Sequence, residues 1–200
     1  MAVSYVRMNE TATALKEAAL VCLARSGLAG TTSREITREA GANLAAITYH
    51  FGSKDRLVAE ALLDGFRAWL APTVAVLTGE GDPATRTIAA IQALLTTFED
   101  HRDAAPAYLQ ALAQAPLADP LREGIVALWA ELRGFLAADI RAIQEAGELG
   151  AWVDPDLMAA VLVAVANGLV VQVTVEPDGP TLPALAAQFG GLMLAVREPR

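Results

Sequence analysis

Between Gly27 and Arg56 the chain carries helix start and stop signals so closely spaced that only short helices in tight succession fit. A first helical pattern, from about Asn9 to Arg25, ends against Gly27 and Gly30. Thr32 and Glu35 have the spacing of a capping box, in which a hydroxyl and a carboxylate satisfy backbone N–H groups reciprocally. Ile36 and Ala40 share a face, and Gly41 supplies a left-handed stop. Asn43 is a good cap for a third helix running to about His50; Gly52 ends it, and Ser53 caps a fourth beginning near Lys54. A short helix, a glycine turn and a second short helix make the helix-turn-helix arrangement, whose second helix enters the major groove of DNA. On this reading Ile36, Ala40, Ile47 and Phe51 point inward, and Leu44, Ala45, Thr48 and Tyr49 outward. Spacing alone leaves a three-helix packing unit without a ligand equally open.

A nucleic-acid partner looks wrong for a chain of formal charge −8. The charge, however, is unevenly spread. Residues 1–56 hold seven cations (Arg7, Lys16, Arg25, Arg34, Arg38, Lys54, Arg56) against five acids, a net of +2. The remaining residues hold eight cations and eighteen acids, a net of −10. The asymmetry points to a small segment that meets an anion and a larger one that does not. A net of +2 is too modest to establish DNA binding by charge, so geometry has to carry it.

"GTTSREITREAGANLAAITYHFGSKDRL" resembles the DNA-binding segment of TetR-family transcriptional regulators. The shared features are the Thr-Thr before the second helix, the glycine turn, Tyr49-His50-Phe51, and Ser53-Lys54 leading into a leucine-containing helix. The resemblance covers roughly Gly27 to Leu63; beyond it the chain matches the family only in length and helical character. It implies that Thr32 and Ser33 contact phosphate and that Arg34 reaches a base, where a bidentate arginine–guanine pair is worth about 1–3 kcal/mol of discrimination. It further implies that Asn43 opens the recognition helix on the DNA side, that Leu44, Ala45 and Thr48 face bases, and that Ala46, Tyr49, His50 and Lys54 hold the phosphate backbone. Thr48 could hydrogen-bond a base or touch a thymine methyl. Ala45 stands where glycine is usual in the family and Thr48 where tyrosine is frequent, which bears on the operator read and not on the docking.

The composition, 54% hydrophobic and 19% charged, excludes a disordered chain. Alanine, leucine and valine dominate and few segments alternate with period two, so helices are the default. After the fourth helix, expected over 54–77, the pattern predicts helices near 83–103, 106–114, 120–146, 155–175 and 181–196. Asp82, Asp119 and Asp154 each precede a proline, a combination that begins helices. The expected fold is therefore all-α. An N-terminal three-helix helix-turn-helix DNA-binding domain occupies residues 1–56, and a larger C-terminal helical domain for ligand binding and dimerisation occupies 57–200.

Leu157–Val175 runs nineteen residues without a formal charge, long enough to span a bilayer. Asn167 and Gln172 interrupt it and acids flank it, so it reads as a helix buried on nearly all sides in a soluble protein, with no membrane partner. The N-terminus lacks the basic start and continuous apolar stretch of a signal peptide. The single cysteine, Cys22, lies on an apolar helical strip and suits a buried thiol in a reducing cytoplasm. Two histidines, one cysteine and no glycine-rich phosphate loop supply neither a metal set nor a nucleophile–base pair. No enzymatic activity, metal or cofactor is expected.

In the last two helices Ala160, Ala164 and Gly168 repeat at four-residue spacing beside Leu157, Val161 and Val165; Ala187 and Gly191 do the same, with Gly190 and Leu194 alongside. Such stripes let helices approach closely, within one chain or between two. The family resemblance implies a homodimer through these two helices, and a reader of palindromic DNA needs the twofold symmetry. The resemblance also implies a pocket among the central helices. Its candidate walls are Phe66, Trp69, Phe98, Tyr108, Leu112, Trp129, Phe135, Trp152 and Met158, with Gln110, Gln114 and Asn167 for polar contacts. Each is equally at home in plain core. So few cations favour a neutral or cationic hydrophobic ligand over an anion. The function expected is that of a homodimeric regulator, a repressor released from a palindromic double-stranded operator by a small hydrophobic effector. The alternative is a DNA-binding dimer whose C-terminal half recruits a protein partner and binds no small ligand.

Overall fold

The computed structural model describes the backbone of residues 2–195 and the side chains of residues 10–192. Among the described residues the fold is all-helical: α1 (Ala2–Gly30), α2 (Ser33–Glu39), α3 (Leu44–Phe51), α4 (Lys54–Leu77), α5 (Pro83–Asp100), α6 (Ala105–Gln114), α7 (Asp119–Glu145), α8 (Pro155–Val175) and α9 (Leu182–Ala195), with short 3-10 turns before and after α6. Residue contacts divide the chain into two compact units. One comprises residues 1–67 and 106–126, the other residues 68–105 and 127–200. The functional divide expected at 56/57 falls inside the continuous helix α4.

The caps explain most helix starts. Asp82 accepts the Thr85 N–H at 2.8 Å, and Asp154 accepts those of Asp156 and Leu157, both at 3.0 Å. In each case the following proline takes the first helical position, where its missing N–H costs nothing. Three expectations are corrected. Asp119 is not a cap but the first residue of α7, where it pairs with Arg122. Helix α1 begins at Ala2, ahead of the expected Asn9, and runs on past Arg25 to a break at Gly27, whose φ is 66°. Helix α5 ends at Asp100, short of the expected residue 103, because His101 leaves the helix and Arg102–Ala104 form a 3-10 turn. In α9, the side chain of Leu194 and the expected last residue, 196, lie outside the described residues.

In the first unit Leu15, Ala18, Ala19, Cys22 and Leu23 of α1 are buried, as are Ile36 of α2, Ile47 and Phe51 of α3, and Leu57, Val58 and Leu62 of α4. The thiol of Cys22 is thus a core group. The stretch 106–126 joins the same unit through a T-shaped contact between Tyr108 and Phe66, ring centroids 4.9 Å apart. Gly124 of α7 lies so close to Leu63 of α4 that a Cβ there would force the Leu63 side chain to move.

The second unit centres on Ala137, Ile140, Val153 and Ala159, with Leu136, Leu149, Met158 and Leu162 packed around them. A buried ion pair fastens α5 to α7. Arg86 Nη2 and Nε donate to the two carboxylate oxygens of Asp139, and the Thr87 hydroxyl donates to Oδ2 at 3.3 Å. Arg86 also donates to the carbonyls of Gly79, at 2.9 Å, and Gly81, fixing the turn between α4 and α5. The hydrogen bond to Asp139 pushes the Arg86 pKa above its ordinary value. Asp139 is 2% exposed, so its removal strands a guanidinium chosen to complement it. Breaking a buried pair costs about 3–5 kcal/mol. Arg86 retains 20% side-chain exposure and its carbonyl partners, so Asp139→Asn belongs at the low end, about 3 kcal/mol. A thermal unfolding midpoint lowered by roughly 6–12 °C is the expected result. A shift under about 2 °C would mean the carbonyls alone hold Arg86.

Helix α8 departs from its expected burial. Only Ala159 and Val170 of its residues are fully buried. Leu157 is 67% exposed, Val161 50%, Val171 43% and Val175 76%, and Ala164 and Gly168 lie open on the same strip. Among the described residues nothing covers this strip. On α9, Ala184, Ala187, Gly191 and Leu192 are likewise open.

Candidate nucleic-acid interface

The short helices before Arg56 are built by local chemistry. Thr32 caps α2 in a complete capping box: its hydroxyl accepts from the Glu35 N–H at 3.3 Å, while its own N–H and O–H both donate to Glu35 Oε2 at 2.9 Å. These bonds, the backbone N–H first, hold the Glu35 carboxyl below its ordinary pKa. Their support for α2 is therefore present at neutral pH and is lost as pH falls through that lowered value. Gly41 turns the chain with φ 63°, a conformation L side chains rarely adopt. Asn43 Oδ1 accepts the Ala46 N–H at 2.9 Å and opens α3, and Gly52, φ 77°, closes it.

Helix α3 shows its faces clearly. Ile47 and Phe51 are buried at 3% and 6% exposure. Leu44 is 53% exposed and Tyr49 72%, with Ala45 and Thr48 open beside them, while Ala46 and His50 are half-buried. Residues 44, 45, 48 and 49 lie one turn apart in pairs, so they form a single outward surface. Tyr49 meets His50 edge to face, centroids 4.9 Å apart. Ala40, expected inward with Ile36, is half-buried at the turn.

Lys54 joins this surface to the start of α2. Its ammonium donates to the Thr31 carbonyl at 3.1 Å and lies 3.8 Å from Asp55. Thr31 is itself fixed, 1% exposed, with its hydroxyl donating to the Gly27 carbonyl at 2.8 Å. The lysine charge therefore stands beside Thr32 and Ser33. Thr32 spends both its donors on Glu35. Arg34 and Arg38, four residues apart on α2, are exposed and, among the described residues, make no ion pair; the same holds for Arg56. Arg38 and Arg56 carry no role in the sequence reading, although their charge and helical spacing were there to find. Two other cations are committed elsewhere: Lys16 to Asp64 at 2.6 Å and Arg25 to Glu39 at 2.7 Å. The Glu39 hydrogen bond raises the Arg25 pKa.

The candidate ligand residues fall on both units. Phe66 is buried and Tyr108, Leu112, Trp69, Phe98, Trp129, Phe135 and Met158 are half-buried. Met158 packs on the Ala137–Ile140 cluster and so serves core. Trp69 stacks on His101, centroids 5.6 Å apart, and His101 Nδ1 pairs with the Thr97 carbonyl at 2.9 Å. Trp152 is 69% exposed. Gln110 Oε1 accepts the Leu28 N–H at 3.4 Å beside the break in α1. With Gln114 and Ala113 it lines an open cleft of about 350 Å³ against Ser26–Ala29.

A glycine-turned pair of short helices with an exposed second helix beside a cation, carried on a longer all-helical chain, defines a helix-turn-helix DNA-binding regulator. The comparisons with known proteins agree. Residues 15–61 match the bacterial regulatory proteins of the tetR family, and residues 83–190 match the C-terminal domain of BetI-type transcriptional repressors. The chain belongs to the TetR family of transcriptional regulators. A TetR transcription regulator from Haloarcula marismortui superposes with a TM-score of 0.82 at 21% identity, over 95% of this chain and 100% of that one. A regulator from Saccharomonospora viridis, crystallised with choline, gives 0.79 at 25% identity over 96% and 100%. One from Pseudomonas aeruginosa gives 0.72 at 27% identity over 90% and 89%. No curated protein matches significantly.

Proposed function

We propose that the protein is a cytoplasmic, homodimeric repressor that binds a palindromic operator and releases it when a small hydrophobic cation enters its second half. The observation that carries this is the outward surface of Leu44, Ala45, Thr48 and Tyr49 with the Lys54 ammonium held beside the start of α2. Residues 1–56 perform recognition: Ser33, Tyr49, His50 and Lys54 with Thr32, Asn43 and Ala46 bind backbone, and Arg34, Leu44, Ala45 and Thr48 meet bases. Residues 57–200 perform dimerisation and effector binding. The open strip of α8 and that of α9 are apolar and small-residued, which suits a twofold four-helix contact.

The effector class follows from charge. Residues 57–200 net −10, and the Saccharomonospora viridis relative holds choline. A quaternary ammonium is held by aromatic faces, and Trp69, Phe98 and Trp129 of the second unit are the candidates here. Ligand would shift the dimer toward a spacing that no longer fits successive major grooves, about 34–36 Å apart. A mobility-shift assay on the DNA flanking the protein's own gene tests this. Retardation at nanomolar protein, reversed by millimolar choline, is expected. Absence of any retarded species overturns the DNA-binding reading, and retardation indifferent to choline overturns the effector class.

A further inference from the structure

The chemistry of α3 narrows what its outward surface can read. The helix, LAAITYHF, contains no arginine, lysine, asparagine, glutamine, aspartate or glutamate. Those are the side chains that make bidentate or amide contacts with guanine, adenine and cytosine edges in the major groove. The three base-facing side chains of α3 are mainly carbon instead: Leu44, 53% exposed, Ala45, and the methyl of Thr48, whose hydroxyl is the one polar atom among them; Tyr49 on the same surface goes to the backbone. An apolar side chain pressed on a base N7, O6, O4 or N4 group dehydrates it without a partner and loses free energy. The major groove offers one apolar feature, the C5 methyl of thymine. We infer that α3 reads its operator half-site by thymine methyls, with Leu44 the principal specificity-determining residue and Ala45 and Thr48 completing the contact. This rests on the DNA-binding reading above and adds the class of base recognised.

The geometry also bounds the footprint. Leu44 and Thr48 are one turn apart, about 6 Å along the helix, which matches roughly two base steps. Two or three adjacent A·T pairs per half-site are therefore read by methyl, and any guanine contact falls to Arg34 outside α3. Exposing Leu44 to water in the free chain is a standing cost that methyl contact relieves. A charged surface could not draw the same benefit.

Duplexes selected from a random pool by the full-length protein supply the probe. The selected half-sites are expected to share thymine at two or more adjacent positions. Replacing each of those thymidines by deoxyuridine removes only the methyl, and should raise Kd about fourfold per position. Deoxyuridine at flanking positions should leave Kd unchanged. Leu44→Ala, a substitution at an exposed site that leaves the core intact, should abolish the deoxyuridine penalty at one position and keep it at the others. Deoxyuridine substitution that leaves Kd within twofold throughout, or selected half-sites with G·C at every central position, overturns the inference while leaving a DNA-binding protein. Recovery of no duplex at all overturns the regulator reading itself.

Discussion

Gly168→Glu is expected to leave the protein monomeric at micromolar concentration and to weaken operator binding at least a hundredfold. Gly168 sits midway along the open strip of α8, between Val161 and Val175, and a Cβ there meets nothing within 4 Å in its own chain. The substitution also favours the helix, since glycine is about 1 kcal/mol worse than alanine in a helix interior and glutamate is close to alanine. The folded chain should therefore tolerate it. A twofold interface behaves otherwise, because the substitution enters it from both copies. Two carboxylates would be buried in an apolar contact, with no cation of α8 or α9 among the described residues to pair them. Burying Leu157, Val161, Val171 and Val175 on both copies yields on the order of 10–20 kcal/mol gross. Association itself costs an estimated 4–15 kcal/mol, so the surplus is small enough for two buried charges to remove. A monomer retains one half-site contact, and non-specific affinities of roughly 10⁻⁴–10⁻⁶ M replace specific ones of roughly 10⁻⁸–10⁻¹¹ M. Light scattering and anisotropy on one operator read both effects. An unchanged dimer mass with a normal unfolding midpoint would place the interface elsewhere.

What the sequence made legible was what its near neighbours decide. The Thr32–Glu35 box, the Asn43 cap, the turn at Gly41 and the Asp154-Pro155 start of α8 all rest on contacts three or four residues apart. The period of Ile36, Ile47 and Phe51 likewise fixed which side of the short helices turns inward. Where signals are absent, boundaries drifted: nothing at Asn9 marks a start, so α1 extends beyond it. Long-range contacts were not legible. Lys54 on the Thr31 carbonyl spans 23 residues and Arg86 on Asp139 spans 53. No local pattern announces either. The apolar run of α8 showed that something must cover it, but periodicity cannot say whether cover comes from the same chain. The large apolar residues of the central helices are ambiguous for the same reason: Met158 and Phe66 share their chemistry with core because they are in it.

Operator affinity should fall steeply with salt, and the ion pairs of the first unit set how steeply. Each phosphate neutralised contributes about −0.9 to the slope of log K against log salt. Among the cations whose side chains are described in residues 10–56, Lys16 and Arg25 are already paired with Asp64 and Glu39. Arg34 is assigned to a base; Arg38, Arg56 and Lys54, whose Asp55 partner is exposed and 3.8 Å away, remain, two copies of each in a dimer. Six neutralisations give a slope of about −5, or a loss of about 10³ in affinity between 50 and 200 mM salt. The acidic remainder of the chain does not alter the slope, since it releases no counterion from DNA. Lys54→Met removes one contact per protomer and should flatten the slope by about 1.8. Lys16→Met removes a cation that Asp64 already satisfies, and the slope should not move. The two variants carry the same charge change, so net charge cannot explain a difference between them. A slope that flattens equally for both would mean that overall charge, and not the placement of Lys54 beside the start of α2, governs binding. A wild-type slope shallower than about −2 would leave Lys54 without a phosphate partner and remove the groove-docked geometry with it.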